Sequence, residues 1–199
     1  MIVNYSQGDW IVHAEYGLGQ IKKVVEKEIS GEAKRYFRIA AANSTFWVPV
    51  EQMDGELIRP LSTEDEMADA LALFDKSAKE MSTNYKVRQK RIREARRRNT
   101  PRAIARLLRD LRAHWRNKRA TNVSERRVYQ TLKERLAREW AIVAGGRAEA
   151  MEARIDRMLN PLMATSGASA LDVPVPQPEP HTTGGSRWRV WRGGQTLNR

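Results

Sequence analysis

The sequence predicts an α+β protein in which a small antiparallel β-barrel precedes a compact all-α domain and a flexible tail. Three observations carry that expectation. Residues 8–60 alternate Gly-containing turns with short runs rich in β-branched and aromatic residues. Residues 63–160 carry apolar stripes at three-to-four spacing between helix-capping signals. From residue 164 onward the chain is rich in Pro and Gly. The implied division is a barrel over 1–61, a connecting helix over 62–80, a basic helical domain over 81–163 and a tail over 164–199. A chain of 199 residues has room for two such domains, each with a thin core.

Strands are expected at 9–13, 18–29, 34–40, 45–50 and 57–59, the last stopped by Pro60. Close turn spacing favours a small barrel, a scaffold that more often binds than catalyses. Trp10, Tyr36, Phe37 and Val48 are core candidates. Trp47, flanked by Phe46 and Val48, falls on the opposite side of its strand from both neighbours.

Ser62-Thr63-Glu64-Asp65-Glu66 has the form of a capping box, so a helix is expected to start after Thr63 and run to about Lys79, with Met67, Leu71 and Phe74 as its apolar stripe. Thr83 or Asn84 caps the next helix, whose Lys/Arg run continues to Arg98. Thr100 with Pro101 in the first helical position opens the third. Its stripe is Ile104, Leu107, Leu108, Leu111 and Trp115. Ser124 is the expected cap of a fourth helix with Val128, Leu132, Leu136, Trp140 and Val143, and residues 147–159 form the last, through Met151, Ile155, Met158 and Leu159. Such stripes bury against one another in a bundle, which leaves the surplus arginines outside.

Charge separates the halves. Residues 1–80 hold 9 Lys/Arg against 14 Asp/Glu, whereas residues 81–163 hold 23 against 8. A segment that basic implies a polyanionic partner, most economically nucleic acid, because each cation placed on a phosphate releases counterions. A membrane surface fits less well, since the basic helices lack an apolar insertion face. The chain has no cysteine, which excludes disulfides and thiolate chemistry. Without an apolar run near twenty residues or a signal-peptide pattern, a soluble, intracellular protein is expected. His13 has no partner at ligand spacing, so no metal, cofactor or catalytic residue is expected.

Gly8-Asp9-Trp10-Ile11-Val12-His13-Ala14-Glu15-Tyr16-Gly17-Leu18-Gly19, then Gly31-Glu32-Ala33-Lys34-Arg35-Tyr36-Phe37, Trp47-Val48-Pro49-Val50 and Ile58-Arg59-Pro60 follow one another in a characteristic order. This set resembles the N-terminal RNA-polymerase-interacting module of the CarD/CdnL family of bacterial transcription regulators, a module shared with the transcription-repair coupling factor. The resemblance implies a Tudor-like β-barrel that docks on the β subunit of RNA polymerase by an exposed strand edge and a few charged side chains. Lys27 and Trp47 fall where the family places such contacts, and Trp47 stands where some members carry arginine.

Thr83-Asn84-Tyr85, the basic run after it, Ala103-Ile104-Ala105-Arg106-Leu107-Leu108-Arg109-Asp110-Leu111 and Glu139-Trp140-Ala141 are similar to the family's C-terminal helical domain, including its T-N-W and V-x-R-D-L segments. In that family the tryptophan of T-N-W wedges into the minor groove of promoter DNA at the upstream edge of the transcription bubble and slows bubble collapse. The matching residue is Tyr85, which keeps a planar face but offers less stacking surface than indole. Arg88, Lys90 and Arg91, within two turns of it, and Arg96 and Arg97 beyond them are the expected phosphate contacts.

The expected function is therefore a non-enzymatic regulator, a monomer in its complex with polymerase and promoter DNA, that stabilises the open complex. A stand-alone RNA- or DNA-binding module with no polymerase partner is the alternative reading of the same charge. A nuclease would need clustered carboxylates, and those of the basic half are scattered. The family likeness stops near residue 163. Beyond it, Arg187-Trp188-Arg189-Val190-Trp191-Arg192 in a glycine frame has the composition of an additional nucleic-acid or protein contact, or of a disordered segment.

Overall fold

The structure, a computed structural model, describes residues 5–29, 32–42, 44–53, 55, 57–116 and 121–160. The Pro/Gly-rich tail and its Trp/Arg segment lie outside the described residues. The elements are β1 (Trp10–His13), β2 (Gly17–Ile29), β3 (Glu32–Ala41), β4 (Thr45–Pro49), a single 3-10 turn at Val50–Gln52, β5 (Ile58–Pro60), and helices α1 (Glu64–Leu71), α2 (Tyr85–Arg98), α3 (Pro101–Trp115), α4 (Val123–Val143) and α5 (Ala148–Leu159). The class is α+β, with an N-terminal unit that fits a Tudor-like domain.

All strand pairs are antiparallel, in the order β4-β3-β2-β1-β5. The expected barrel is thus corrected to an open five-stranded sheet. Two features explain why the edges do not pair. β5 is three residues long and ends on Pro60, which has no N–H to donate, and β4 ends on Pro49. β2 carries an irregularity between Ile21 and Lys23, which lets the long strand bend while both halves keep pairing with β3.

Alternation along the strands builds the sheet core: Ile11, Ile21, Phe37, Ile39, Phe46 and Val48, closed by Met53. Ile11, Ile21 and Ile39 are fully buried, each contributing about 1.5–3 kcal/mol of transfer free energy. Of the four core candidates, Phe37 and Val48 are buried, whereas Trp10 and Tyr36 are half-buried. Gly19 is required by close approach: a Cβ there would stand 2.6 Å from Ile39 Cγ2.

The capping box forms as the sequence predicts, with Thr63 Oγ1 accepting from Glu66 N–H and the Glu66 carboxylate accepting from Thr63 N–H. The helix, however, stops at Leu71 rather than near Lys79. Tighter turns follow, in which Leu73, Phe74 and Lys76 N–H groups donate to the carbonyls of Ala70, Leu71 and Leu73. The third helix takes over the polar groups a longer α1 would have satisfied itself: Arg109 donates to Leu73 O, and buried Asp110 accepts from Lys79 N–H. Leu73, Phe74 and Met81 are thereby folded into the helical core beside Met67 and Ala70. The cap of α4 is also corrected, from Ser124 to Asn122, whose Oδ1 accepts from the N–H of Ser124 and Glu125. Thr100 and Pro101 open α3 as expected. All five stripe residues of α3, with Leu132, Leu136, Trp140, Met151, Ile155 and Leu159, are buried in one cluster.

The sheet and the helices are wired together by polar groups. Glu139 on α4 accepts from both terminal nitrogens of Arg59 on β5, at 2.7 Å each, and from Ser62 Oγ at 2.7 Å. Arg59 Nε donates to Asn99 O, and Asn99, in the left-handed conformation that ends α2, donates through its side chain to Val12 O. Arg135 on α4 donates to the carbonyls of Ala14 and Glu15, against the left-handed turn at Gly17. These contacts tie the end of α2 and the body of α4 to the sheet.

Candidate nucleic-acid interface

The local sequence explains the start of α2. Asn84, extended, accepts Lys86 N–H at its Oδ1, so the helix opens with Tyr85 in its first position. Arg88, Ile92 and Ala95 fall on the buried side. Tyr85 keeps 44% of its surface exposed, one of few large apolar side chains so presented among the described residues.

Arg88 is not at the surface: it is 8% exposed. Its Nε donates to Glu125 Oε1 at 2.8 Å, and Nη1 donates to the carbonyls of Ser82 and Thr83 at 2.9 and 2.7 Å. The phosphate-contact expectation for Arg88 is therefore replaced by a structural placement, because every observed donor contact points inward. Its guanidinium lies 5.8 Å from the centre of the Tyr85 ring, and the Tyr85 hydroxyl is 3.3 Å from Ser124 Oγ. The arginine thus ties the turn before α2 to the start of α4, and the aromatic ring stands on that junction. Ser124 and Glu125 are absent from the expected site. Glu125 pairs with a residue 37 positions earlier, a relation no local pattern encodes.

Arg91 is half-buried, pairing with Asp110 and reaching Met81 Sδ and Glu80 O. Asp110, almost fully buried, also accepts from Arg109, which makes it the hub that joins α3 to the segment before α2. Lys90, Arg96 and Arg97 are exposed, as a backbone-contacting role requires. Arg97 and Arg98 share Glu94, whose carboxyl is held below its usual range by hydrogen bonds from Arg98 and then Arg97. Arg96 lies near Arg135, whose guanidinium is lowered from its ordinary value first by burial and then by the charges of Arg96 and Arg138. Positive charge is thus concentrated where the end of α2 meets α4.

On the sheet, Lys27 Nζ sits 3.9 Å from the Trp47 ring centre, so the two residues expected to act together are in contact as a cation–π pair. Trp47 is 44% exposed on the edge strand β4. Its register partner Arg38 and Arg38's own partner Lys23 extend a basic, aromatic face across three strands. Beside Trp47, a groove of about 600 Å³ lies between β4 and β5, lined by His13, Tyr16, Val48, Pro49 and Leu57 among others.

Two family models match the chain. The CarD-like/TRCF RID domain covers residues 5–62, and the CarD C-terminal domain covers residues 69–156. The protein belongs to the CarD-like family. The RID match coincides with the open sheet and β5, and the CarD C-terminal match runs from within α1 into α5. CarD-like proteins are non-enzymatic regulators of transcription that interact with RNA polymerase, and the coarse function of this chain follows from its membership. A comparison with curated proteins finds no match. Among the described residues no helix is long and apolar enough to cross a membrane, and no group of three His, Asp or Glu side chains is placed to hold a metal ion.

Proposed function

We propose that this CarD-like protein stabilises the promoter open complex, holding the β subunit of RNA polymerase through the β4 edge with Lys27 and Trp47, and contacting DNA at the upstream edge of the bubble through α2. One observation carries the reading: an exposed aromatic, Tyr85, stands at the first position of the most basic helix, on a base built from Arg88, Glu125 and Ser124. A planar ring so held enters a minor groove without first paying to be ordered. Lys90, Arg96 and Arg97 meet backbone phosphates and orient the ring without reading sequence. Arg88 and Arg91 act on DNA only through the residues they position.

Energetically the device works by differential binding. A wedge that fits the opened upstream edge better than closed duplex shifts that equilibrium by its affinity difference and no further. Attachment to polymerase supplies effective concentration, so the intrinsic DNA affinity is free to be low. In this reading a sheet-based polymerase-binding domain over 1–61 and a helical DNA-binding domain over 81–163 act as a cytoplasmic, nucleoid-associated monomer on the enzyme.

The deciding experiment measures open-complex lifetime with purified polymerase. The wild type is expected to lengthen it and Tyr85→Ala to abolish most of the gain. An unchanged lifetime with the wild type, or an undiminished gain in Tyr85→Ala, removes the wedge. Pull-down of nucleic acid without polymerase would instead point to a stand-alone binding module.

A further inference from the structure

A groove of about 420 Å³ lies where the sheet passes into the helices, away from the residues assigned a role above. Its apolar surface comes from Pro60 at the end of β5, Leu61 after it, and Pro101 at the first position of α3. Glu66 and Asp69 reach it from α1 and Arg102 from α3. Pro60 is exposed and Leu61 half-buried, so the apolar surface is open to a side chain from outside. The volume falls within the range of about 300–1,000 Å³ typical of ligand clefts.

The face around this groove is acidic in an otherwise basic helical region. α1 carries Glu64, Asp65, Glu66 and Asp69, all exposed, and no Lys or Arg. From α2 to α5 every carboxylate of the described residues has an ion pair. Among the same residues Glu64, Asp65 and Glu66 have none. The helix dipole favours acids in a first turn, which accounts for those three. Asp69 lies beyond that turn. Its ion pair with Arg102 spans 3.7 Å between side chains 74% and 58% accessible, a contact of the weak, solvated kind. Arg59, the other cation of the groove, is committed to Glu139. Four carboxylates thus meet one available cation.

What complements this surface is a short segment that is both aromatic and cationic, and the chain contains one. Arg187-Trp188-Arg189-Val190-Trp191-Arg192 brings two indoles and three guanidinium groups. An indole buries about 150–250 Å² against an apolar surface, and guanidinium groups pair with carboxylates in a bidentate fork. A second apolar groove, of about 350 Å³ between the sheet and α4, is rimmed by Lys22 and Arg138 and repels such a segment. The groove beside Trp47 offers only Glu51 as a carboxylate and has Lys27 close by.

The segment lies outside the described residues, but its attachment point does not. Asn160, just after α5, accepts at Oδ1 from Arg112 Nε at 2.7 Å, which places the departing chain against α3. From Arg112 back to Pro101 is about 16 Å along the helix. Residues 161–186 span up to about 85 Å when fully extended. Reach is therefore ample, and joining segment and groove in one chain supplies effective concentration, so individually weak contacts suffice.

We propose that the groove of Pro60, Leu61 and Pro101 seats this chain's own Trp188 and Trp191, with Arg187, Arg189 and Arg192 on the carboxylates of α1. Seated there, the three guanidinium groups are withheld from nucleic acid. Neither polymerase nor DNA is needed for this docking.

The test uses the full chain, which has no cysteine, so Ser186→Cys places a single nitroxide label beside the segment. In amide spectra of the isotope-labelled protein at low salt, Leu61, Ser62, Glu66, Asp69 and Arg102 are expected to lose most of their intensity. Amides of β3, three strands from β5, are expected to keep it. Trp188→Ala with Trp191→Ala should restore the lost signals. So should Glu64→Gln, Glu66→Gln and Asp69→Asn together, since Gln at position 66 preserves the capping box. The unaffected amides report in the same spectra that each variant stays folded. No loss, an even loss over the whole surface, or a loss centred on Lys22 and Arg138 overturns the docking. A loss that neither set of substitutions relieves overturns it as well. Broadening passed from a spin-labelled, isotope-free copy to an isotope-labelled one assigns the groove to a second molecule and overturns docking within one chain.

Discussion

Replacing Glu139 by alanine should loosen the junction between sheet and helices. Glu139 is 2% exposed and accepts four hydrogen bonds, from Arg59 Nη1 and Nη2, Ser62 Oγ and Ser62 N–H. Truncation leaves the Arg59 guanidinium, only 17% accessible, with Asn99 O, Pro60 O and Ser62 Oγ but without its counter-charge. Breaking a buried pair from one side costs about 3–5 kcal/mol. The partial access of Arg59 to water and its three remaining acceptors, Asn99 O, Pro60 O and Ser62 Oγ, place the expected loss at the lower end, about 3 kcal/mol. For a chain of this size each kcal/mol lowers the Tm by about 2–4 °C, so a drop of about 6–12 °C is expected by calorimetry. A double replacement, Arg59→Met with Glu139→Leu, removes the charge on both sides and should recover most of the stability. Hydrogen exchange of Ala14 N–H, which donates to Leu57 O just before β5, should quicken in the single variant first. A loss below about 1 kcal/mol, the range of exposed ion pairs, would refute the claim that this contact is a desolvated tie.

Two further outcomes follow from the same contacts. Arg88→Ala strands Glu125, itself 1% exposed, and should cost about 3 kcal/mol in denaturant melts; below the melting range it should leave the salt slope of DNA binding unaltered, whereas a flattened slope with full stability would restore Arg88 to the phosphate contacts. His13 is held below its ordinary value of 6.5 first by burial and then by Arg135, against an opposing pull from Glu15, and its Nδ1 accepts from the N–H groups of Glu15 and Tyr16. The folded state therefore binds a proton less readily than the unfolded chain. Stability is fully present above about pH 6.5 and is lost as pH falls through the depressed folded value. Urea melts across that window should show the decline in the wild type and a flatter profile in His13→Asn, and equal profiles would exclude His13 as the source.

Much of this architecture was legible before any coordinate. Strand and helix positions follow from period and capping, which act over a few residues. Thr63 with Glu66, and Thr100 with Pro101, name their helix starts because the side chain and the N–H it satisfies lie within one turn. The wedge candidate was legible by resemblance alone.

What failed depended on groups distant in the chain. The extent of α1 was decided by Arg109 and Asp110 on another helix, and barrel closure by whether two short edges ending in proline could meet. The sequence by itself determined which residues could be helical, which stripes would be buried, and that the second half carries a large surplus of positive charge. Only the tertiary structure decided which arginines stay exposed and which are buried. Arg88 shares its helical phase with Ile92 and Ala95, but a buried arginine is tolerable only when a carboxylate arrives to meet it, and Glu125 comes from a helix formed 37 residues later. Charge on a helix is a local property; whether it points at water, at a partner or at an acid across the core is fixed by packing.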